Sequence, residues 1–569
     1  MSGEPIIFTQ WKAACMAFDF GKRDSINSLV MMLESIARVL AQHEEDRIRL
    51  GAIPFLWPDL RKLWRDLART QLTFWDGDDS EGEDEGSSKD KQRDLRAICG
   101  SLAKFTRNLV AGVTTNQNHA FENEPDIRRL LHYHTSWSAM EDSESIPVAR
   151  TLAQALSNIV TTNELLLGKL WGTYMSLPED QFVLIRLLAS PDPHTLLTAL
   201  IFVLNCVHGS KQRSKLMVKT SIGARLCISL LDSMVKLYDA EESSEGAQAF
   251  DVGYDILTQL IECGLIPDLY YKFTIQDEII TPHQTTLLKI VDSYLQSIQM
   301  SAATTPKTIK IHRKLSPMLA RIFFALSGYA QEAVERALRP TSSISSNQLN
   351  STSMLESVVE TASTKPPPPP AELDVMLPKV CEALVLVTQC IVTIAIEADE
   401  QRSSRDQNVP LSDFEPDLKE FFNEARSSEC GIVECLIELL RLFDLFLPRI
   451  NFGKPVVSTS GMTTPTQQST PDNTGFMYVK RDLVRLLGIL CHGVKAVQDR
   501  ARESGGIEVV MSLCVVDERN PYLREHAIFT LRNLLKDNLE NQAVVEGIKP
   551  SEDWNKSEVL KYTPGTAHM

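Results

Sequence analysis

Two distant stretches of this chain follow one residue pattern without a gap, and this self-similarity strongly limits the possible fold. They are residues 192–206 and residues 520–534. Each begins with Asp or Asn followed by Pro, which suits the first turn of a helix because the N–H that Pro lacks would have no partner there. Each carries a small residue, Ala199 or Ala527, where a neighbouring helix can approach closely. The two stretches therefore predict the same helix of a repeated helical unit.

Further echoes of this helix give the repeat its period. Asparagines recur near the ends of the helical stretches, at Asn108, Asn158, Asn205 and Asn533. The first three are 50 and 47 residues apart, near the period of about 40–47 residues of armadillo and HEAT repeats. Glycine turns that open a new apolar helix occur at Gly51, Gly264, Gly431 and Gly505. We therefore predict an all-α, armadillo/HEAT-like α-solenoid, a right-handed superhelix of helical repeats with long disordered loops.

The recurring asparagines have two interpretations. In the first, each amide hydrogen-bonds to the backbone at a helix end or between repeats and satisfies a polar group internally. In the second, the amides form a ladder that holds an extended peptide, as in nuclear-import armadillo proteins. Those proteins place Trp four residues before Asn, whereas this chain has Lys104, Gln154, Ile201 and Phe529. Binding of nuclear-import signals is therefore not expected.

Polar stretches too poor in apolar residues to form a core divide the chain. One of them, residues 76–92, has eight acidic and two basic residues. The predicted division comprises an N-terminal helical repeat (1–75), an acidic disordered insert (76–92), armadillo-like repeats (93–338), a Ser/Pro-rich linker (339–371), helical repeats (372–453), a disordered loop (454–477), C-terminal armadillo repeats (478–548) and a tail (549–569).

Composition and motifs exclude several functional classes. Lys and Arg number 58 and Asp and Glu 74, a net charge of −16, which disfavours nucleic acid and anionic lipid as the main partner. The scattered cysteines and the absence of an apolar leader indicate a cytoplasmic protein without membrane insertion. No phosphate-binding loop, nucleophile elbow or paired metal-ligand motif is present, so we predict no catalytic centre, cofactor or metal. His132-Tyr133-His134 lacks the further ligands that structural zinc needs.

The C-terminal part of the chain resembles a known family. The resemblance to the C-terminal domain of the ataxin-10 family covers about residues 478–548 and is carried by Lys480 to His492, Gly505-Gly506-Ile507, Asn520-Pro521, Asn533-Leu534 and Asn541-Gln542. The chain departs from the family at Ile489, where Asn is common, and at Val497-Gln498, where Asn-Gln is common. The resemblance implies a non-enzymatic armadillo scaffold, mainly cytoplasmic, linked to cytokinesis and cell division and, in animals, to neuronal survival and neurite outgrowth.

The first functional hypothesis is accordingly a protein-interaction scaffold. The alternative is an exchange-factor-like solenoid that regulates a small GTPase, and an enzyme with an unrecognised site is a third hypothesis. Other proteins are the expected partners, and homo-oligomerisation stays open. The block from Lys480 to Glu540 has ten basic and nine acidic residues in an otherwise acidic chain, which makes it the candidate recognition surface.

Within that block, five residues are the candidate protein-binding residues: Arg485, Arg524, Phe529, Arg532 and Asn533. The arginines could form paired hydrogen bonds with a partner's carboxylates or phosphates. They could instead bridge neighbouring helices internally, an interpretation that fits Arg532 best because Asn533 follows it. Leu531, four residues after Ala527, is expected on the stripe that faces the core.

Overall fold

The computed structural model describes residues 6–73, 85–300, 305–339, 374–404, 417–451, 454–455 and 473–548. They fall into two compact units, Met1–Thr274 and Ile275–Met569. Both units consist of stacked α-helices with almost no sheet, which confirms the predicted all-α solenoid class.

Unit 1 contains sixteen described helices. They are α1 (Ile6–Ala17), α2 (Arg23–Gln42), α3 (Glu44–Gly51), α4 (Leu56–Leu72), α5 (Glu85–Val110), α6 (Thr114–Ala120), α7 (Glu124–His134), α8 (Trp137–Met140), α9 (Ser145–Val160), α10 (Glu164–Tyr174), α11 (Val183–Leu188), α12 (Pro193–Val207), α13 (Lys211–Lys219), α14 (Ser221–Leu237), α15 (Glu245–Glu262) and α16 (Ile266–Lys272).

Unit 2 contains ten described helices and two short antiparallel strand pairs. The helices are α17 (Pro282–Met300), α18 (Pro306–Leu338), α19 (Leu377–Ser404), α20 (Leu418–Glu424), α21 (Ile432–Phe446), α22 (Val479–Cys491), α23 (Lys495–Glu503), α24 (Gly506–Ser512), α25 (Leu523–Leu535) and α26 (Leu539–Gly547). Strand β1 (Arg426–Ser427) pairs with β2 (Cys430–Gly431), and β3 (Ile450–Asn451) pairs with β4 (Lys454–Pro455).

The last helix of each repeat packs beside the same helix of the next repeat, and together these helices form a row. In unit 1 the row consists of α2, α5, α9, α12 and α15, and in unit 2 it includes α19, α22 and α25. The recurring asparagines join the row. Their side-chain amides donate to the preceding row helix: Asn108 to the Ala37 carbonyl at 2.8 Å, Asn158 to the Arg107 carbonyl at 3.2 Å, Asn205 to the Ser157 hydroxyl at 3.1 Å and Asn533 to the Gly488 carbonyl at 3.0 Å. These bonds agree with the structural interpretation of the asparagines.

The turns that follow α5, α9, α12, α22 and α25 each have one residue in the left-handed conformation. It is glycine at Gly112, Gly209 and Gly493, with φ of 75°, 66° and 69°. The same place holds Thr162 and Asp537, with φ of 61° and 56°. Because a left-handed residue with a Cβ is strained, glycine is the natural choice for this turn. The turn is thus a second signature of the repeat, and Gly264, one of the predicted glycine turns, lies at this place after α15 with φ of 70°.

Several sequence predictions need correction. Asn520 does not cap α25, which begins three residues later; its side chain instead accepts from the Lys480 N–H at 3.2 Å. Of the four predicted glycine turns, Gly264 and Gly505 have positive φ. Gly51 is the last residue of α3, where the Asn116 side chain of α6 packs closely, and Gly431 ends β2.

The predicted boundaries also shift at the polar stretches. Helix α5 begins at Glu85, inside the predicted acidic insert, and its first described side chains include Asp90 and Asp94, which form ion pairs with Arg23 of α2 at 3.1 and 3.7 Å. Short elements, β4 and a 3-10 turn at Asn473–Phe476, lie within the predicted loop 454–477. The predicted linker 339–371, except for its first residue, and the tail 549–569 lie outside the described residues.

Helix α19 forms the centre of unit 2. Its segment Leu377–Arg402 is the one described helix long and apolar enough to cross a membrane by length and composition alone. In the structure 72% of its most apolar window is buried, and it packs against α17, α18 and α22. The core position accounts for its apolar composition.

Candidate protein-binding surface

Two hydrogen bonds fix how α22 and α25 lie side by side. The Thr530 hydroxyl donates to the Val484 carbonyl at 2.8 Å, and the Asn533 amide donates to the Gly488 carbonyl. Both helices also begin after a tyrosine with φ of 66°, Tyr478 or Tyr522. Equivalent positions of the two helices therefore lie next to each other, and Arg485 corresponds to Phe529.

A buried carboxylate anchors the polar side of this surface. The Asp482 side chain is 1% exposed and accepts two hydrogen bonds from Arg481, at 2.8 and 2.9 Å. Gln389 of α19 donates to the same carboxylate at 3.1 Å. The Arg481 guanidinium also lies 4.2 Å from the centre of the Tyr478 ring. Arg481 is therefore held in place by a bidentate ion pair and a cation–π contact.

Arg485, one turn further along α22, is half-buried and makes no hydrogen bond or ion pair with the residues that the structure describes. It interacts electrostatically with Asp292 of α17 and His526 of α25. Burial raises the pKa of Asp292 to about 6, and Arg485 acts in the opposite direction. Burial, with Arg485 and Arg481 nearby, lowers the pKa of His526. Arg485 is thus an arginine without a hydrogen-bonded carboxylate among the described residues.

Exposed residues of α25 border Arg485. The Phe529 side chain is 59% exposed, and Arg532 is exposed one turn further on. We call the surface formed by Arg481, Arg485, His526, Phe529 and Arg532 the α22–α25 face. It combines cations with an exposed aromatic ring, which is the composition of residues that dominate protein interfaces.

The structure separates the five predicted residues. Arg485, Phe529 and Arg532 lie on the α22–α25 face. Arg532 forms no internal bridge within the described part of the chain, contrary to the alternative that fitted it best. Asn533 lies between the two helices, where its side-chain amide donates to the Gly488 carbonyl of α22. Arg524 is exposed on a different side of α25.

Sequence reasoning missed Arg481, His526 and Tyr478. Arg481 lies four residues before Arg485, so the helical spacing alone could have placed both on one side of α22. Nothing in the sequence signals the contact of His526 with the two arginines, since it depends on the register between α22 and α25.

The described residues provide no metal site. No group of three or more His, Cys, Asp or Glu side chains within them is placed to hold a metal ion. His134 is buried, whereas the His132 ring nitrogen lies 2.8 Å from the Asp180 carbonyl. The two rings therefore do not share a site.

Comparison with known proteins supports the family resemblance. A sequence model of the Spinocerebellar ataxia type 10 protein domain matches residues 479–567. An Ataxin-10 homolog of Dictyostelium discoideum is 41% identical over 80 residues, 14% of this chain and 13% of that protein. The Ataxin-10 of Homo sapiens is 31% identical over 118 residues, 20% of this chain and 23% of that protein. The chain thus matches less than a quarter of the length of either relative.

Among solved structures, the SYS-1 protein is 12% identical and covers 93% of this chain and 85% of its own, with a TM-score of 0.33. At that score the similarity carries no argument.

The stacked helices, the row and the repeated asparagine bonds define the chain as an α-solenoid of the armadillo type, whose units present side chains along rows of parallel helices. Within this class, the C-terminal part of the chain, residues 479–567, is similar to the corresponding domain of ataxin-10 proteins.

Proposed function

We propose that this chain is a non-enzymatic protein-interaction scaffold whose α22–α25 face binds an acidic segment of a partner protein. The observation that carries the proposal is Arg485, a half-buried guanidinium without a hydrogen-bonded carboxylate, beside the exposed ring of Phe529.

The chemistry of the face favours a carboxylate ligand with an apolar neighbour. A guanidinium binds a carboxylate through two parallel hydrogen bonds, and partial burial strengthens that interaction because water screens it less. Arg532 adds a second cation at the exposed edge of α25, and Phe529 offers an apolar contact between the two arginines. A partner segment with Asp or Glu next to a large apolar residue can pair its carboxylates with Arg485 and Arg532. Its apolar side chain can pack on Phe529.

The similarity of the C-terminal part to ataxin-10 proteins adds a cellular setting to the proposal. We infer a cytoplasmic protein that acts in cytokinesis and cell division, because these are the processes that the family resemblance implies. We expect cells that carry Arg485→Glu at normal protein levels to show defects in cytokinesis or cell division. Normal division at wild-type protein levels would contradict this part of the proposal.

An array of peptides that vary in charge and apolar content tests the binding chemistry on the full chain. We expect the wild-type protein to select peptides with Asp or Glu beside an aromatic or aliphatic residue. Phe529→Ala should weaken binding to all of them, and Arg485→Glu should abolish the preference for acidic peptides. Arg65→Glu, an exposed arginine of α4 in unit 1, is the matched control and should leave the profile unchanged. A wild-type profile from Arg485→Glu at an unchanged melting temperature contradicts the proposal.

A further inference from the structure

One side of α25 is apolar and uncovered, although the same side of α22 is fully covered. A helix turns by roughly 100° per residue, so four residues of α25 lie opposite the side that faces α22: Arg524, Ile528, Leu531 and Leu535. We call them the end strip. Ile528 is 47% exposed, Arg524 is exposed, and the two leucines are half-buried.

The register between the two helices identifies the residues of the preceding repeat that correspond to the end strip. Its four equivalents on α22 are Lys480, Val484, Leu487 and Cys491, and all are 0% exposed. Helix α25 packs over that side of α22, with Thr530 bonded to the Val484 carbonyl. The end strip therefore corresponds to the side of α22 that the next repeat covers. A further segment can pack on it in the same way.

A glutamine beside the strip supports the same conclusion independently. Gln117 donates to the Asn158 and Thr161 carbonyls, at 3.0 and 2.9 Å, and so holds the end of the next row helix. Gln498 does the same for α25, through the Asn533 carbonyl at 2.8 Å and the Lys536 carbonyl at 3.3 Å.

Gln542 occupies the position of Gln498 one repeat later. Its amide instead donates backward, to the Leu535 carbonyl at 2.8 Å. In the two earlier repeats this amide bonds the backbone of the segment that follows in the stack. Gln542 is thus the residue that can bond a segment seated on the end strip.

We propose that the end strip is the docking site for the chain's own residues 549–567. The family domain runs from residue 479 to residue 567 without interruption, so the strip and this segment belong to one domain. The segment directly follows Ile548, which lies at the end of α26 beside α25.

The composition of the segment matches the strip. It supplies four large apolar side chains, Trp554, Val559, Leu560 and Tyr562, for a strip that has Ile528, Leu531 and Leu535. Its two adjacent carboxylates, Glu552 and Asp553, can pair with the exposed Arg524. Its backbone C=O groups can accept from the Gln542 amide, as the carbonyls of the next row helix do in the earlier repeats.

A photo-crosslinking amino acid placed at Ile528 of the full chain tests this docking directly. We expect crosslinks from position 528 to peptides of residues 549–567, located by mass spectrometry. A mixture of isotope-labelled and unlabelled protein distinguishes a crosslink within one chain from one between chains. The same amino acid at Tyr238, an exposed position of unit 1, is the control and should not reach the segment.

Each outcome decides the proposal. Crosslinks within one chain to residues 549–567, lost when Trp554→Ala and Tyr562→Ala are combined, support it. Crosslinks to a second copy assign the strip to self-association and overturn it, as do crosslinks to an unrelated protein or none to the segment. Hydrogen exchange gives a second measurement: the same double substitution should reduce protection of α25 amides and leave α9 and α12 unchanged. Unchanged protection of α25 contradicts the docking.

Discussion

Lys480 and Asp517 form an ion pair 3.3 Å apart in which neither side chain has any exposed surface. Lys480 also contacts Asp444 at 3.4 Å and the Leu447 carbonyl. Burial opposes ionisation of Asp517, but Lys480, the Ile450 N–H and the Asn520 side chain outweigh it and hold its pKa below the ordinary value. The pair therefore joins the end of α21, the start of α22 and the turn before α25.

Removing one partner of this pair should be costly. We expect Lys480→Met to lower the free energy of unfolding of unit 2 by about 3–5 kcal/mol, since it leaves a buried carboxylate without its cation. Urea unfolding monitors the loss. Lys480→Met combined with Asp517→Asn should recover part of it, because the uncompensated charge is gone. Equal losses in the single and double variants would show that the charge of Asp517 is not what the lysine compensates.

The left-handed turns that follow α5 and α9 give a prediction about a stabilising substitution. Thr162→Gly should stabilise unit 1 by about 1 kcal/mol, because a β-branched residue at φ of 61° is strained and glycine is not. Gly112→Ala, at φ of 75° in the preceding repeat, should destabilise by a similar amount. Thermal unfolding of the two variants beside the wild type measures both. A stabilising effect of Gly112→Ala would contradict this assignment of strain.

A buried histidine makes the stability of unit 1 depend on pH. Neither ring nitrogen of His134 has a partner in the described structure. Burial, aided by Arg96 and opposed by Asp142, lowers its pKa to about 4. The unfolded chain, with a pKa of about 6.5, therefore binds a proton that the folded state excludes. Stability from this site is complete above pH 6.5 and falls as the pH drops toward 4.

The expected loss at pH 5 is about 2 kcal/mol relative to pH 8. His134→Leu should remove this part of the pH dependence, and His132→Leu, on the same helix with its ring at the Asp180 carbonyl, should retain it. Unfolding curves at pH 5 and pH 8 give the change in the free energy of unfolding for each variant. Comparing the variants cancels the contributions of other titrating groups. The same pH dependence in wild type and His134→Leu would contradict the prediction.

Two cysteines of unit 2 are placed to react with each other. The Sγ atoms of Cys430 and Cys435 lie 3.1 Å apart; Cys430 is exposed and Cys435 is buried. Burial first, and Cys430 next, raise the pKa of the Cys435 thiol, so Cys430 is the thiol that an oxidant meets. Diamide, which takes up two electrons and two protons, should join them in one disulfide. Mass spectrometry of a tryptic digest should show a loss of two hydrogen atoms on the peptide that contains both cysteines, and Cys435→Ser should abolish it. Wild-type oxidation that joins other cysteines instead would refute this pairing.

The repeat pattern predicted the row helices because it rests on local spacing. The sequence predicted the all-α class, the recurring asparagines and the resemblance of the C-terminal part to ataxin-10 proteins. All three depend on residues close in sequence or on a repeat period. It placed Leu531 on the core stripe, whereas the fully buried leucine of that turn is Leu534, and Leu531 lies on the end strip. Periodicity alone predicts burial of two neighbouring sides of a helix almost equally well. The packing of α25 against α22 and α24 determines which side is buried.

The candidate surface was predictable only in part. Arg485, Phe529 and Arg532 were found from their spacing and chemistry. The role of Asp482 as an anchor depends on Gln389, a residue of another helix far away in sequence. The first turns of α5 likewise contact α2 through the Arg23–Asp90 ion pair, a contact that composition does not reveal. Contacts between distant segments are what the sequence does not display.

A double-mutant cycle between the protein and a bound peptide tests the central claim, that Arg485 binds a partner's carboxylate. An acidic peptide selected by the array is titrated, by fluorescence anisotropy, against wild type and Arg485→Glu, and so is the same peptide with Lys in place of its acidic residue. The account predicts that each single change weakens binding and that combining them restores it, with a coupling energy above about 1 kcal/mol, as for close charge pairs. Additive losses, with no recovery in the charge-swapped pair, would contradict it.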